Sequence, residues 1–288
     1  MAADPGNPWS IRDLYLAHFT VTDVAAGTFR HAERVSRAGP GLAGADAGNL
    51  RAWVLDWSAA AADGAFALEA REGDVAIRLA LRPRRPPMLH GAGGLSRKGT
   101  ATGQASWYAS ITDLETVGTL RAGDGAEIAV RGASWFDHEF GSGQLADDLS
   151  GWDWFGVRLS DGSSLMLYRL RRRDGAAAPA SSGTLVAAGG AVRHLAREEA
   201  AIEELGQWRS PHSGAAYPSR WRLRVPAAGI DLELAPLVAD QELRTGKSTG
   251  VTYWEGAVAG GGSAGGAPVA VEGYAELTGY AGGLGGLF

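Results

Sequence analysis

The chain has no cysteine, only two lysines among its 27 basic residues, and no long apolar run. Without cysteine there can be no disulfide, thiolate zinc site, iron–sulfur cluster or cysteine nucleophile. No stretch approaches the roughly 18 consecutive apolar residues that a transmembrane helix needs. The net charge of −5 argues against a nucleic-acid partner, because phosphate binding calls for clustered basic residues.

Glycine and tryptophan are abundant instead, with 43 glycines and 10 tryptophans in 288 residues. Short segments of alternating polar and apolar residues recur between glycine turns, such as residues 13–24 and 51–58. Residues 195–205 form the best local helix, although their pattern fits a strand about as well. The Gly/Ser/Ala-rich residues 259–267 indicate a loop. At least a dozen strand candidates predict an all-β chain with two packed domains.

Acidic and aromatic residues are densest in two neighbouring segments, 135–142 (WFDHEFGS) and 151–155 (GWDWF). In an extended strand Asp137 and Glu139 face one side and His138 the other. A carboxyl group among apolar rings is harder to ionise, so it can hold a proton near neutral pH. Aromatic faces stabilise a developing cation. This combination suits protonation of an alkene, but the same residues also fit an ordinary core with turn hydrogen bonds.

Two short motifs imitate known sites without completing them. Residues 246–249 (GKST) end like a phosphate-binding loop, but its earlier glycine is missing. Residues 138–139 begin like a zinc-protease motif, but the second histidine is missing. We therefore expect no metal and no cofactor.

Ten blocks of the sequence resemble the carotenoid 1,2-hydratase (hydroxyneurosporene synthase) superfamily, particularly its AttH-like branch of lipocalin-like proteins. They run in family order along nearly the whole chain. The blocks are 14–23 (LYLAHFTVTD), 95–99 (LSRKG), 135–142, 151–155, 165–170 (LMLYRL), 181–185 (SSGTL), 217–221 (YPSRW), 239–243 (ADQEL), 253–258 (YWEGAV) and 273–280 (GYAELTGY).

The resemblance implies two lipocalin-like antiparallel β-barrel domains, which we place at residues 1–148 and 149–288. It also implies addition of water to a terminal isoprenoid double bond of an acyclic carotenoid, without a cofactor. Relatives carry an earlier Trp/Tyr-rich block that this sequence does not contain. We therefore expect the first barrel to lack its N-terminal strands.

A second departure concerns the proton donor. The hydratases use a His-x-Trp pair and a Tyr-x-Asp pair, whereas this sequence has His138-Glu-Phe140 and Tyr168-Arg-Leu170. If hydration is retained, Asp137, Glu139 or Asp153 has to supply the proton. His138 would then orient or deprotonate the water.

The sequence thus predicts a cofactor-independent lyase with two sets of site residues. The catalytic candidates are Asp137, His138, Glu139 and Asp153. The substrate-binding candidates are His18, Trp135, Phe140, Trp152, Trp154, Tyr168, Trp254 and Glu255, of which His18 and Glu255 also fit structural roles.

Two other functions stay open, a non-catalytic carrier of an apolar ligand linked to an envelope transporter and a pericyclase-like enzyme. The expected partner is an apolar small molecule such as a carotenoid, terpenoid or lipid, with no nucleic acid. Peripheral membrane association and oligomeric state are left open. As written, the N-terminus lacks a signal peptide, which predicts a cytoplasmic protein; an upstream signal would make it periplasmic or secreted.

Overall fold

A computed structural model describes residues 11, 13–141, 146 and 148–283 of the chain. In these ranges the chain forms 21 β-strands in three antiparallel sheets and two short 3-10 turns, with no α-helix. The all-β prediction is confirmed. None of the helical segments in the described part is long and apolar enough to cross a membrane.

The first half of the chain contributes eleven strands. They are β1 (Leu14–Asp23), β2 (Thr28–Arg37), β3 (Ala43–Ala45), β4 (Arg51–Val54), β5 (Trp57–Ala62), β6 (Ala65–Glu72), β7 (Val75–Pro83), β8 (Met88–Leu89), β9 (Leu95–Arg97), β10 (Ala105–Arg121) and β11 (Ile128–Phe140).

The second half contributes ten. They are β12 (Leu149–Leu159), β13 (Ser164–Arg172), β14 (Ser182–Val186), β15 (Val192–Ala196), β16 (Ala201–Arg209), β17 (Ala216–Val225), β18 (Ile230–Pro236), β19 (Glu242–Arg244), β20 (Thr252–Ala264) and β21 (Ala267–Leu277).

Strands β3–β11 build a curled nine-stranded sheet in the order β11-β10-β7-β6-β5-β4-β3, with β8 and β9 paired to β10. Strands β1 and β2 form a separate hairpin. The hairpin packs on the sheet through Phe19, whose ring meets Trp57 edge-on at 5.6 Å between centroids. Strand β11 is the outer strand of this sheet at one end.

Strands β12–β21 build a curled ten-stranded sheet in the order β15-β14-β13-β12-β21-β20-β18-β17-β16, with β19 paired to β20. Its concave face encloses one core, in which Phe155, Trp221 and Trp254 are almost fully buried. Alternate residues point inward because side chains alternate across a strand. This lipocalin-like barrel is filled by its own side chains, so its outward face is the one free to form a site.

Two segments differ from the expected local structure. Residues 195–205 are not a helix, because the chain leaves β15, makes a 3-10 turn at Arg197–Glu199 and continues as β16. Leu195 is fully buried in the barrel core, so tertiary packing outweighs the helix propensity of the neighbouring residues. Residues 51–58 are split between β4 and β5 by a tight turn at Leu55, whose φ is 58°.

The Gly-rich segment 259–267 is also not a loop. It lies mostly within β20, which turns at Gly265 and Gly266 and returns as β21. A Cβ on Gly260 would lie 1.9 Å from the Glu233 carbonyl oxygen of β18. Glycine is needed there because the two strand backbones approach too closely for a side chain.

The nine-stranded sheet ends with β11 and the ten-stranded sheet begins with β12, and in the described ranges no strand of one sheet pairs with the other. The domain division at residues 148 and 149 remains a prediction. So does the expectation that the first barrel lacks N-terminal strands.

Candidate functional site

The outward face of the ten-stranded sheet carries a group of aromatic and acidic side chains. Register places Trp154 of β12 opposite Glu276 of β21, and Glu276 opposite Glu255 of β20. Three neighbouring strands therefore put an indole and two carboxyl groups in one row. The same face carries Trp152, Tyr168, Tyr253 and Tyr274.

Strands β10 and β11 face this row from the first half of the chain. Ser110 and Asp137 are register partners, and the Ser110 hydroxyl donates to Asp137 Oδ1. The Tyr108 hydroxyl donates to Asp137 Oδ2 at 3.0 Å, and Trp135 Nε1 donates to Oδ1 at 2.7 Å. Trp154 Nε1 donates to the Tyr108 oxygen at 2.9 Å, which joins the two sheets at Asp137.

The environment of Asp137 acts on its protonation in two directions. Desolvation raises the pKa of its carboxyl group, while the hydrogen bonds from Ser110, Trp135 and Tyr108 lower it; the net shift is upward. The residue keeps exposed surface, yet its carboxyl oxygens accept hydrogen bonds from three side chains. The upward shift makes this carboxylate a stronger base than a free Asp side chain.

His90 contacts the Ser110 hydroxyl and holds it in position. Its Nε2 lies 2.7 Å from Ser110 Oγ, and its Nδ1 lies 2.9 Å from Thr184 Oγ1 of β14. Since Ser110 donates to Asp137, Nε2 carries the proton toward Ser110 and Nδ1 accepts from Thr184. Desolvation and the nearby charge of Lys98 lower the pKa of His90 to about 3, so the ring is neutral.

Lys98 and Glu139 lie beside the Asp137 group. Lys98 Nζ is 2.7 Å from Glu139 Oε1, and the Ser106 hydroxyl donates to the same oxygen. The ammonium group lies 4.4 Å from the centroid of the Tyr168 ring. The Tyr168 hydroxyl is 3.1 Å from Ser96 Oγ, so Tyr168 is held on this face of the sheet.

Glu255 and Glu276 form the most unusual feature of the site. Desolvation raises the pKa of Glu255 to about 7, while a hydrogen bond with Tyr253 opposes that shift. Desolvation and the charge of Glu255 raise the pKa of Glu276 to about 8. Glu276 also accepts a hydrogen bond from Trp152 and feels the charges of Glu139 and Asp137. At least one of the two carboxyl groups therefore holds a proton at neutral pH.

The β1–β2 hairpin reaches this region from a third direction. His18 Nδ1 is 2.8 Å from the Tyr253 hydroxyl, and the Thr20 hydroxyl is 3.4 Å from that of Tyr274. His18 is therefore connected to Glu255 by hydrogen bonds through the Tyr253 hydroxyl. The predicted residues Asp137, Glu139, Trp135, Trp152, Trp154, Tyr168, His18 and Glu255 are thus brought to one region.

Asp153 lies on the opposite face of β12, in the barrel interior. It is fully buried, its carboxyl group is paired with Arg169 and Arg171, and it accepts a hydrogen bond from Tyr280 at 2.9 Å. The structure does not bring it to the other acids, because successive side chains on a strand point to opposite faces.

Three other predicted residues lie away from the acid row. Trp254 is packed in the barrel core, with its Nε1 donating to the Ala239 carbonyl. His138 and Phe140 are exposed on the other face of β11, with their rings 5.1 Å apart.

Sequence reasoning did not select several residues of the site. These are His90, Lys98, Tyr108 and Ser110. The sequence does single out Glu276, because Tyr274-x-Glu276 repeats the pattern of Tyr253-x-Glu255, but from the sequence we favour a structural role for both acids. No signal existed for His90, whose partners Ser110 and Thr184 come from separate sheets.

Two cavities lie outside this region. One of about 300 Å³ is lined by Arg71, Arg78 and Arg121 of the first sheet. The other, of about 240 Å³, is lined by Tyr168, Arg169 and Ile202, and only Tyr168 belongs to the site. The acids line neither cavity, so hydrogen-bond geometry rather than cavity size defines the site. Among the described residues no group of three or more side chains has the geometry of a metal site.

The chemistry available is proton transfer beside aromatic rings. One acid pair holds a proton at neutral pH, and a third carboxyl group faces it with three hydrogen-bond donors around it. Indole rings from β11 and β12 lie beside these acids, since Trp135 donates to Asp137 and Trp154 lies opposite Glu276, and the two rings meet edge-on at 6.1 Å. Such a site can donate a proton, stabilise a cation and accept a proton.

Comparison with known proteins agrees with this architecture. A crystal structure of a protein described as AttH from Nitrosomonas europaea has 33% identity and a TM-score of 0.86, covering 95% of this chain and 83% of that one. Kievitone hydratase from Nectria haematococca has 16% identity and a TM-score of 0.74, covering 91% of this chain and 79% of that one, which shows a shared fold. A comparison with curated sequences gave no match. The AttH-like family model matches residues 2–280, so this chain belongs to the AttH-like family.

Proposed function

We propose that this protein is a cofactor-independent lyase that adds water across a carbon–carbon double bond of an apolar small molecule. The observation that carries the proposal is the position of Glu276. The carboxyl group of Glu276, whose pKa desolvation and the charge of Glu255 raise to about 8, lies opposite Trp154 and within the electrostatic reach of Asp137 of the other sheet. A proton donor and a proton acceptor thus flank the same aromatic surface.

The reaction has two proton transfers, and side chains of the site can supply and accept both protons. Glu276 gives its proton to one alkene carbon, which leaves Glu276 ionised and a tertiary cation on the other carbon. The indole rings and the nearby carboxylates stabilise that cation. Water then attacks it, and Asp137 accepts the released proton. His138 was expected to handle the water, but its position on the far face of β11 favours Asp137 in this role.

Ser110 and His90 keep Asp137 in place for that task. The neutral His90 ring orients the Ser110 hydroxyl, and the Ser110 hydroxyl orients the carboxylate. Desolvation raises the pKa of the Tyr108 phenol well above its ordinary value, so Tyr108 stays protonated and acts as a hydrogen-bond donor.

For the substrate we propose a terminal isoprenoid double bond, as in an acyclic carotenoid. The sequence motifs shared with the hydratase superfamily support this choice, as does the aromatic lining. Hydratase chemistry is further supported by the shared fold with a protein named kievitone hydratase. The carotenoid itself is the most specific part of the proposal and is tested directly.

The test uses purified protein, acyclic carotenoids and related isoprenoid alkenes in water labelled with heavy oxygen. Mass spectrometry should detect a product that carries one labelled hydroxyl group. Glu276→Gln should lower the rate by roughly 100- to 10,000-fold, because the proton donor is lost. Glu272→Gln is the matched control. Glu272 lies on the same strand but is exposed and paired with Arg158, so its variant should react like the wild type.

The outcome separates an enzyme from a carrier. Absence of label with every alkene, or equal rates in the wild type and Glu276→Gln, would overturn the proposal. Quenching of tryptophan fluorescence by these alkenes without any turnover would favour a carrier.

A further inference from the structure

The β1–β2 hairpin contacts the second sheet through a histidine with two polar neighbours. His18 Nδ1 lies 2.8 Å from the Tyr253 hydroxyl, and His18 Nε2 lies 2.9 Å from Ser248 Oγ. The mechanism above uses none of these three side chains. Their order in space leads from the acid row toward the surface of the hairpin.

The outer end of this series is an ionised carboxylate. Ser248 Oγ lies 2.6 Å from Glu33 Oε2, and the Lys247 backbone N–H lies 3.1 Å from both Glu33 oxygens. Partial burial alone would raise the pKa of Glu33, but these hydrogen bonds lower it overall. Ser248 therefore donates to Glu33, and its oxygen is left to accept from His18 Nε2–H.

The inner end is Glu255, whose carboxyl group is protonated below its raised pKa of about 7. Desolvation lowers the pKa of His18, so the ring is neutral and Nδ1 has no proton. Tyr253 must then donate to Nδ1. Tyr253 also hydrogen-bonds to Glu255, so its oxygen accepts from the Glu255 carboxyl when that group is protonated. Ser248, His18 and Tyr253 each donate one hydrogen bond and accept one, and all of these bonds point from Glu255 toward Glu33.

We propose that Glu33, Ser248, His18, Tyr253 and Glu255 form a proton relay that reloads the acid pair from the hairpin surface. To reload, Glu33 takes a proton from solvent and passes one to Ser248. The transfer starts once Glu255 has ionised, when Tyr253 donates to the Glu255 carboxylate and the neutral His18 carries its proton on Nδ1 and donates to Tyr253. Ser248 then passes a proton to the unprotonated Nε2 of His18, His18 passes its Nδ1 proton to Tyr253, and Tyr253 passes one to Glu255. The transfer restores the hydrogen-bond order described above for protonated Glu255. One O–H or N–H bond forms and one breaks at each intermediate group, and the negative charge moves from Glu255 to Glu33.

Part of this inference rests on the proposed function. After Glu276 protonates a substrate, an apolar product still covers the acid row and limits access of water. The relay passes through protein groups behind the row, so it remains open in that state. Glu255, directly opposite Glu276, then hands the proton across the strand pair.

The test follows the nitrogen signals of His18 by NMR of histidine-labelled full-length protein during a pH titration. His18→Asn assigns the signal. In the wild type we expect the Nε2–H tautomer and a change of the Nδ1 shift as Glu255 ionises near neutral pH. The other titratable groups whose charges act on His18 are Glu33 and His31 of β2, whose pKa values are lowered.

Tyr253→Phe removes only the hydroxyl that connects His18 to Glu255, so the neutral-pH change should disappear. Glu255→Gln should abolish it as well, which covers the case in which one variant fails to fold. Tyr274→Phe is the matched control. Tyr274 also lies close to Glu255 but hydrogen-bonds to Thr20, so this variant should keep the change.

A neutral-pH change that persists in Tyr253→Phe, or that is missing in the wild type, would overturn the relay. None of these measurements depends on turnover. If no alkene reacts and the His18 change still depends on Tyr253, the hydratase proposal fails and the proton connection stands.

Discussion

Two acids of the second sheet have opposite surroundings. Asp153 lies among cations, whereas Glu276 lies among other carboxyl groups and indole rings. Asp153 is occupied by ion pairs with two arginines, whereas desolvation and a neighbouring carboxyl group raise the pKa of Glu276. The residue types are similar, so the neighbours decide which acid is available for chemistry.

The raised pKa of Glu276 predicts how pH affects stability. Between its ordinary value of 4.5 and about 8, the folded protein binds more protons than the unfolded chain. The free energy of unfolding therefore falls as pH rises through this window. Glu276→Gln does not lose stability in this way. The difference in thermal midpoint between the variant and the wild type should therefore increase as the pH is raised from about 5 to about 9.

Differential scanning fluorimetry of both proteins across this range checks the prediction. Glu272→Gln should show no such trend, because Glu272 is exposed on the same strand. A constant difference between Glu276→Gln and the wild type at every pH would contradict it.

At the scale of the element, β20 shows how a strand can be made of residues that usually form loops. Its glycines lie against the backbone of β18, and a Cβ on Gly262 would come within 2.0 Å of the Asp231 carbonyl oxygen. The close approach lets β18, β20 and β21 pair along their length and carry Glu255 and Glu276 to matching positions.

Gly260→Ala should therefore destabilise the protein by about 1–3 kcal/mol, since the added methyl group overlaps a backbone oxygen. Urea denaturation gives the free energy of unfolding. Gly132→Ala on β11 is the comparison, because a Cβ there would have no atom within 4 Å. Equal effects of the two substitutions would show that strand proximity is not what requires glycine.

At the scale of the whole molecule, the site exists only because two sheets and a hairpin meet. Polar side chains make these junctions, including Tyr108 with Trp154, His18 with Tyr253 and His90 with Thr184. A buried polar group costs free energy when its partner is missing, so these bonds favour one relative placement of the sheets.

Thr184→Val tests this placement. The variant keeps the shape of the side chain but leaves the buried Nδ1 of His90 without a donor, so unfolding should become easier by about 1–3 kcal/mol. Thr184→Ser keeps the hydroxyl and should remain closer to the wild type. If the valine variant is as stable as the wild type in urea, the His90–Thr184 bond does not help hold the sheets together.

Much of the molecule follows from local pattern. Alternation correctly gave strands such as β1, and it correctly placed Asp137 and Glu139 on the face of β11 opposite His138. Predictions were wrong where tertiary packing outweighed the local structural preference of the sequence. Residues 195–205 favour a helix in isolation, but the core needed Leu195 on a strand.

The sequence by itself determined the fold class and the two faces of each strand, because both depend on the spacing of apolar residues along the chain. Only the tertiary structure decided which acids act together. It buried Asp153 among arginines inside the barrel, and it set Glu276 of β21 beside Asp137 of β11. The protonation of an acid depends on the charges and water around it, and these come from parts of the chain that no local pattern connects.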